Sequence, residues 1–138
     1  MLVHITPKNL GTYWELMKPG IERALLENNS YKSWDIESVY DQLHNAQAFG
    51  FYLRESGVSG VYTLVEHPLR NLIYVYWAGQ HPDNKATPDW EEVDAYLVAI
   101  AKTVGASSIL IEGRKGWVKK LDHLGYSLET VNLTKEVT

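Results

Sequence analysis

The sequence predicts an α/β fold, a sandwich of helices around a central mixed sheet, and three observations predict it. Apolar residues recur at helical spacing over residues 10–25 and again over 90–104. They alternate at period two from Phe49 to Val65. A helix then lies between two apolar runs, LIYVYWA and SILIE, which makes it a parallel, right-handed crossover.

The elements follow in order. LVHI opens the chain as a short strand. Leu10, Trp14, Met17, Ile21 and Leu25 line one face of a helix, which Pro19-Gly20 is expected to kink or split into two short helices. Asp35 can cap a second helix whose apolar side is Ile36, Val39, Tyr40 and Leu43. Residues 46 to 78 read as a three-stranded antiparallel meander. Its first turn is at Ser56-Gly57 and its second spans Pro68 to Asn71. LIYVYWA is apolar on both faces, as a central strand is. Alternation sends Tyr74 and Tyr76 to one face and Trp77 to the other. Trp90, Val93, Leu97, Ile100 and Val104 form a helix stopped by Gly105. After SILIE, the residues Trp117, Leu121 and Leu124 line a short helix ended by Gly125, and YSLETVNLTKEV supplies a last strand or pair of strands. Residues 1–138 make one domain, since no repeat or linker divides them.

Composition narrows the function. A formal charge of −4 argues against general nucleic-acid binding. With no cysteine, disulfides and thiolate metal sites are ruled out. The five histidines show no paired ligand spacing, so no metal is expected, and His81 with Asp83 reads as a solvated loop. No apolar run reaches the ~20 residues of a membrane span, and MLVHITPKNL is no signal peptide. A cytoplasmic location is the expectation.

The element order, with SILIEGRKGWVKKLDHLGY ending in Gly125-Tyr126, resembles the Gcn5-related N-acetyltransferase (GNAT) superfamily over nearly the whole chain. EGRKGW and ITPKNLGTYWELMKPGIERAL are similar to the small GNAT-like proteins of tailed bacteriophages. The resemblance implies acyl transfer from acetyl-CoA to an amine acceptor. It also implies an alternative: a non-catalytic interaction or virion protein with a phage or host partner, or a homo-oligomer, in the host cytoplasm or the virion.

The resemblance places the acetyl-CoA pyrophosphate on a glycine-rich loop before the third helix. Here that stretch is GQHPDNKATPDWEE. Its only glycine is Gly79, and Pro82 and Pro88 lack N–H donors. Asp89, Glu91 and Glu92 crowd the helix start. A carboxylate ~6 Å from a phosphate charge costs about 0.7 to 3 kcal/mol. The helix dipole returns only about 0.3 to 1 kcal/mol. The loop is a poor phosphate cradle, and acetyl-CoA is expected to bind weakly or not at all. The cofactor contacts that the resemblance suggests are Trp77, Ala78, Gly79, Lys85, Arg114 and Lys115. Its catalytic candidates are Glu66 as base and Tyr126 as acid, because the strand 72–78 has no carboxylate and the usual tyrosine position falls on Leu121. Arg114, Lys115, Lys119 and Lys120 read either as a solvated face or as a grip for an acidic group. Tyr62, Tyr74 and Tyr76 read either as core or as a partner groove.

Overall fold

The computed structural model describes residues 1–113, 116–129 and 132–137. Five strands stand in the order β1-β2-β3-β4-β5. They are β1 (Leu2–Ile5), β2 (Phe49–Leu53), β3 (Val58–Glu66), β4 (Asn71–Gln80) and β5 (Ser108–Ile111). The first four pair antiparallel, and β5 joins β4 in parallel. The crossover between them is α3 (Trp90–Val104), capped by the Asp89 side chain and stopped by Gly105 at a φ of 74°. The expected meander and crossover are therefore present.

Two cores flank the sheet. On one face α1 (Leu10–Glu27) and α2 (Ile36–His44) bury Met17, Ile21, Leu25, Val39 and Leu43 against Tyr52, Val61 and Trp77. On the other, α3 sets Val93, Leu97 and Ala101 against Phe51, Tyr62, Ile73 and Val75. The short α4 (Gly116–Leu121) follows β5.

Three expectations need correction. The first helix is not split in two: it is one helix of 18 residues with Pro19 inside it. Pro19 removes one i→i−4 bond. Burial of Met17, Gly20, Ile21, Ala24 and Leu25 on that helix face outweighs the loss. Next, Trp77 does not face away from Tyr76. Val61 pairs with Trp77 and Tyr62 with Val75, so Tyr76 is an extra residue, a β-bulge. The bulge resets the alternation, and both Tyr76 and Trp77 pack toward α1 and α2. Tyr62 lies on the opposite face, so it lines no groove with Tyr74 and Tyr76. Finally, residues 127–129 and 132–137 form no strand, while 130, 131 and 138 lie outside the described residues. A strand needs a partner ladder, and those described residues have none.

β1 is held to α3 by polar contacts. The Leu2 N–H donates to Glu92, and His4 Nδ1 meets the Tyr96 hydroxyl, which in turn lies 2.7 Å from the Tyr62 hydroxyl. Burial lowers the His4 pKa below its ordinary 6.5, so the fold favours the neutral ring. That contribution is complete above the unfolded value and is lost as pH falls below it toward the folded value. The melting temperature should decline through this window for the native chain and decline less for His4→Phe. Equal slopes in thermal melts of the two proteins would remove His4 from the account.

Candidate active site

β4 is longer than β5, and the two strands part. Their last paired residues are Val75 and Ile111, followed by the Glu112 N–H donating to the Val75 carbonyl at 3.0 Å. Beyond that point Tyr76 to Gln80 continue beside β3 alone, starting with the bulge at Tyr76. The parting has two sides with different chemistry.

On the side of α1 and α2 stand Tyr74, Tyr76, Trp34 and Glu112, all half-buried. The Tyr74 hydroxyl donates to Glu112 Oε2. Burial first, then the bond to Glu112 and its charge, push the Tyr74 hydroxyl far above its ordinary value, so it stays protonated as a donor. The Tyr74 and Tyr76 rings lie 4.6 Å apart, and Trp34 lies 6.4 Å from Tyr76. Among the described residues, Glu112 forms no ion pair. A half-buried carboxylate beside aromatic faces attracts a cation, through charge and through the ring quadrupoles.

On the side of α3, Val75, Ala78, Trp90, Val93, Asp94, Ile111, Trp117, Leu121 and Tyr126 close around a cavity of about 10 Å³. That is space for about one water molecule. Trp90 and Trp117 meet edge to face at 4.7 Å and fill the gap between α3 and α4. Trp117 is also seated against the backbone of Gly113, where an added Cβ would lie 2.7 Å from its ring.

No protein-family model matches the chain, and no curated protein matches it significantly. Solved structures do. An aminoglycoside acetyltransferase from an uncultured soil metagenomic sample superposes with a TM-score of 0.72 at 13% identity, covering 100% of this chain and 98% of that one. A ribosomal-protein-alanine N-acetyltransferase from Brucella melitensis biovar Abortus 2308 gives 0.68 at 10% identity, with 99% of each chain covered. A predicted acetyltransferase with acetyl-CoA from Clostridium acetobutylicum gives 0.68 at 12% identity, covering 99% of this chain and 95% of that one.

The fold is the GNAT fold. At these identities the likeness carries the fold and leaves the substrate to the site itself. None of the three sources bears on the resemblance to phage proteins.

The cofactor half of a GNAT site fits acetyl-CoA badly here. The α3-side cavity lacks the volume for it. Part of the loop before α3 is engaged in its own bonds. His81 N–H donates to the Gly57 carbonyl at 2.9 Å, Asn84 N–H to the His81 carbonyl, Asp83 N–H to the His81 ring, and Ala86 N–H to Asn84. At the helix start, Asp89 takes the Glu92 N–H at 3.1 Å. Donors committed in this way are not available to a pyrophosphate.

The residues expected from sequence are dispersed. Trp77 is buried in the α1–α2 core, edge-on to Trp34 at 5.2 Å. Ala78 lines the small cavity on the α3 side. Gly79 is pressed against Gly20 of α1, where its absent side chain permits helix and strand to touch. Lys85 is exposed and donates to the Pro82 carbonyl at 2.9 Å. Arg114 and Lys115 lie outside the described residues. Glu66 pairs with Asn71 at the start of β4, four residues before the last paired residue Val75 and so roughly 13 Å from the parting along the strand. Tyr126 does reach the cavity, but its hydroxyl donates to Asp94 at 2.8 Å. Burial, then that bond and charge, push it far above its ordinary value. Among the described residues no cluster fit for a metal ion occurs, and no helix is long and apolar enough to cross a membrane.

Sequence reasoning named Tyr74 and Tyr76 as a candidate groove but did not single out Glu112, Trp34 or Asp94. Glu112 had a readable signal: a lone acid at the end of an apolar strand. Nothing in the sequence pairs it with Tyr74, because that contact depends on strand register.

Proposed function

We propose that this GNAT-fold chain binds a cationic amine at the corner formed by Trp34, Tyr74, Tyr76 and Glu112, and has little or no affinity for acetyl-CoA. The observation that carries the reading is the contrast across the parting strands. One side presents the Glu112 carboxylate, which accepts from Tyr74 and forms no ion pair among the described residues, and the other is filled by Trp90 and Trp117. The amine is recognised by charge and by hydrogen bonding to Glu112, with Tyr74 orienting the carboxylate. In the form that the phage resemblance adds, the chain is an interaction domain whose ligand is a lysine or amino terminus of a phage or host partner.

A second reading is an acetyl-CoA-dependent N-acetyltransferase, supported at the level of the fold family by the acetyltransferase neighbours. It requires Trp117 and α4 to move away from Trp90. Isothermal titration separates the two. The first reading expects acetyl-CoA to bind no tighter than about 1 mM, near −4 kcal/mol, while spermidine or a peptide with a free amino terminus binds measurably. A low-micromolar constant for acetyl-CoA, about −8 kcal/mol, together with acetylated product, would establish the enzyme instead.

A further inference from the structure

We infer that the open basin between the β2–β3 turn and the loop 81–85 binds an uncharged, polyhydroxylated ligand, a saccharide. Tyr52, Gly57, His81, Asp83, Asn84 and Lys85 line about 400 Å³ of space there. That volume lies within the roughly 300 to 1,000 Å³ of small-molecule sites. The basin shares no residue with the amine corner at Glu112.

Two loops are tied together to make it. The His81 N–H donates to the Gly57 carbonyl at 2.9 Å, and the Asn84 side-chain amide donates to the Glu55 carbonyl at 3.2 Å. Gly57 has a φ of 71°, and a Cβ there would lie 3.1 Å from the His81 Cβ. Glycine therefore lets turn and loop touch.

The wall of the basin carries hydroxyls that lack partners. Tyr52 is 8% exposed, and its hydroxyl makes no hydrogen bond among the described residues. Ser59 is its partner across the β2–β3 ladder, so it stands on the same face, and it is 0% exposed. Ser56, beside Gly57, is 2% exposed. Neither serine Oγ has a hydrogen-bond partner. Buried hydroxyls are nearly always bonded, so three orphans at one place point to a polar occupant.

The rim offers both donors and acceptors. His81 Nδ1 accepts the Asp83 N–H at 3.1 Å, which leaves the proton of the neutral ring on Nε2 as a donor. Lys85 gives one N–H to the Pro82 carbonyl at 2.9 Å and keeps two. The Asp83 carboxylate accepts. Sugar hydroxyls do both, and several in a row answer this mixture. The charges of Asp83 and Lys85 cancel, Glu55 pairs with the Met1 amino group, and Arg54 donates to the Tyr13 hydroxyl at 2.7 Å. That balance favours an uncharged ligand over an anion such as phosphate.

A two-dimensional NMR titration of the full chain with D-glucose, maltose and, separately, inorganic phosphate tests this. The expected result is saturable shifts at residues 52, 57 and 81–85 with a sugar, at a dissociation constant of about 1 to 10 mM. His81→Ala with Asp83→Ala should weaken that binding by about tenfold or more. Tyr52→Phe keeps the ring in the core and should weaken it by less. An unchanged circular dichroism spectrum will show that each variant still folds. Glu112→Gln should leave sugar binding unaltered, so this site and the amine corner fail separately. Phosphate bound in preference to both sugars overturns the inference. So does the absence of sugar-induced shifts up to about 100 mM. Sugar binding that the double variant leaves intact overturns it too.

Discussion

Gly79→Ala should lower the melting temperature by roughly 10 °C. α1 crosses β4 where Gly20 and Gly79 meet. A Cβ on Gly20 would sit 2.5 Å from the Gly79 carbonyl oxygen, and a Cβ on Gly79 would meet the Gly20 carbonyl more closely still. These neighbours are backbone, so no rotamer change relieves the clash, and helix and sheet must separate. Overpacking typically costs about 1 to 3 kcal/mol, and a main-chain clash in a rigid layer belongs near the top of that range. Gly11→Ala is the internal control. It lies in the same helix with nothing within 4 Å, and should be neutral or stabilising by up to about 1 kcal/mol. A Gly79→Ala protein that melts within a few degrees of the native chain would mean that the contact is looser than described. It would also return Gly79 to the list of ligand contacts.

Glu112→Gln should weaken amine binding about 10- to 100-fold, the loss expected for a charge-assisted hydrogen bond worth about 1.5 to 3 kcal/mol. The substitution keeps the shape and removes the charge. Tyr74→Phe should cost less, since it frees the carboxylate without neutralising it. The titration with spermidine reads both. Because Glu112 is half-buried and forms no ion pair among the described residues, Glu112→Gln should leave stability unchanged or raise it slightly. Undiminished amine affinity in Glu112→Gln would move the binding site elsewhere, whatever acetyl-CoA does. The two titrations therefore fail independently.

Much of this protein was legible in its sequence because the signals are local and periodic. The helix at 90–104 declares itself by its apolar spacing and its Gly105 stop, and both appear as expected. The prolines and acids of the loop at 79–92 were likewise readable, and what they do to acetyl-CoA binding is what the titration decides. Three-dimensional packing decided the rest. Pro19 looked like a break, but the buried face of α1 holds it within one helix. A single extra residue at Tyr76 reversed the expected direction of Trp77, and no period-two reading reveals a bulge. Glu66 and Glu112 were both acids near apolar strands, and only the pairing of β4 with β3 and β5 puts one away from the parting and the other beside Tyr74. Trp117 and Trp90 each read as a residue on the face of its own helix. Their meeting across the cavity depends on how α3 and α4 approach, which is settled by tertiary contacts far apart in sequence. Local backbone preference and apolar period determined the elements and their order. Register, bulge and close packing, which act between residues distant in the chain, decided what the site contains.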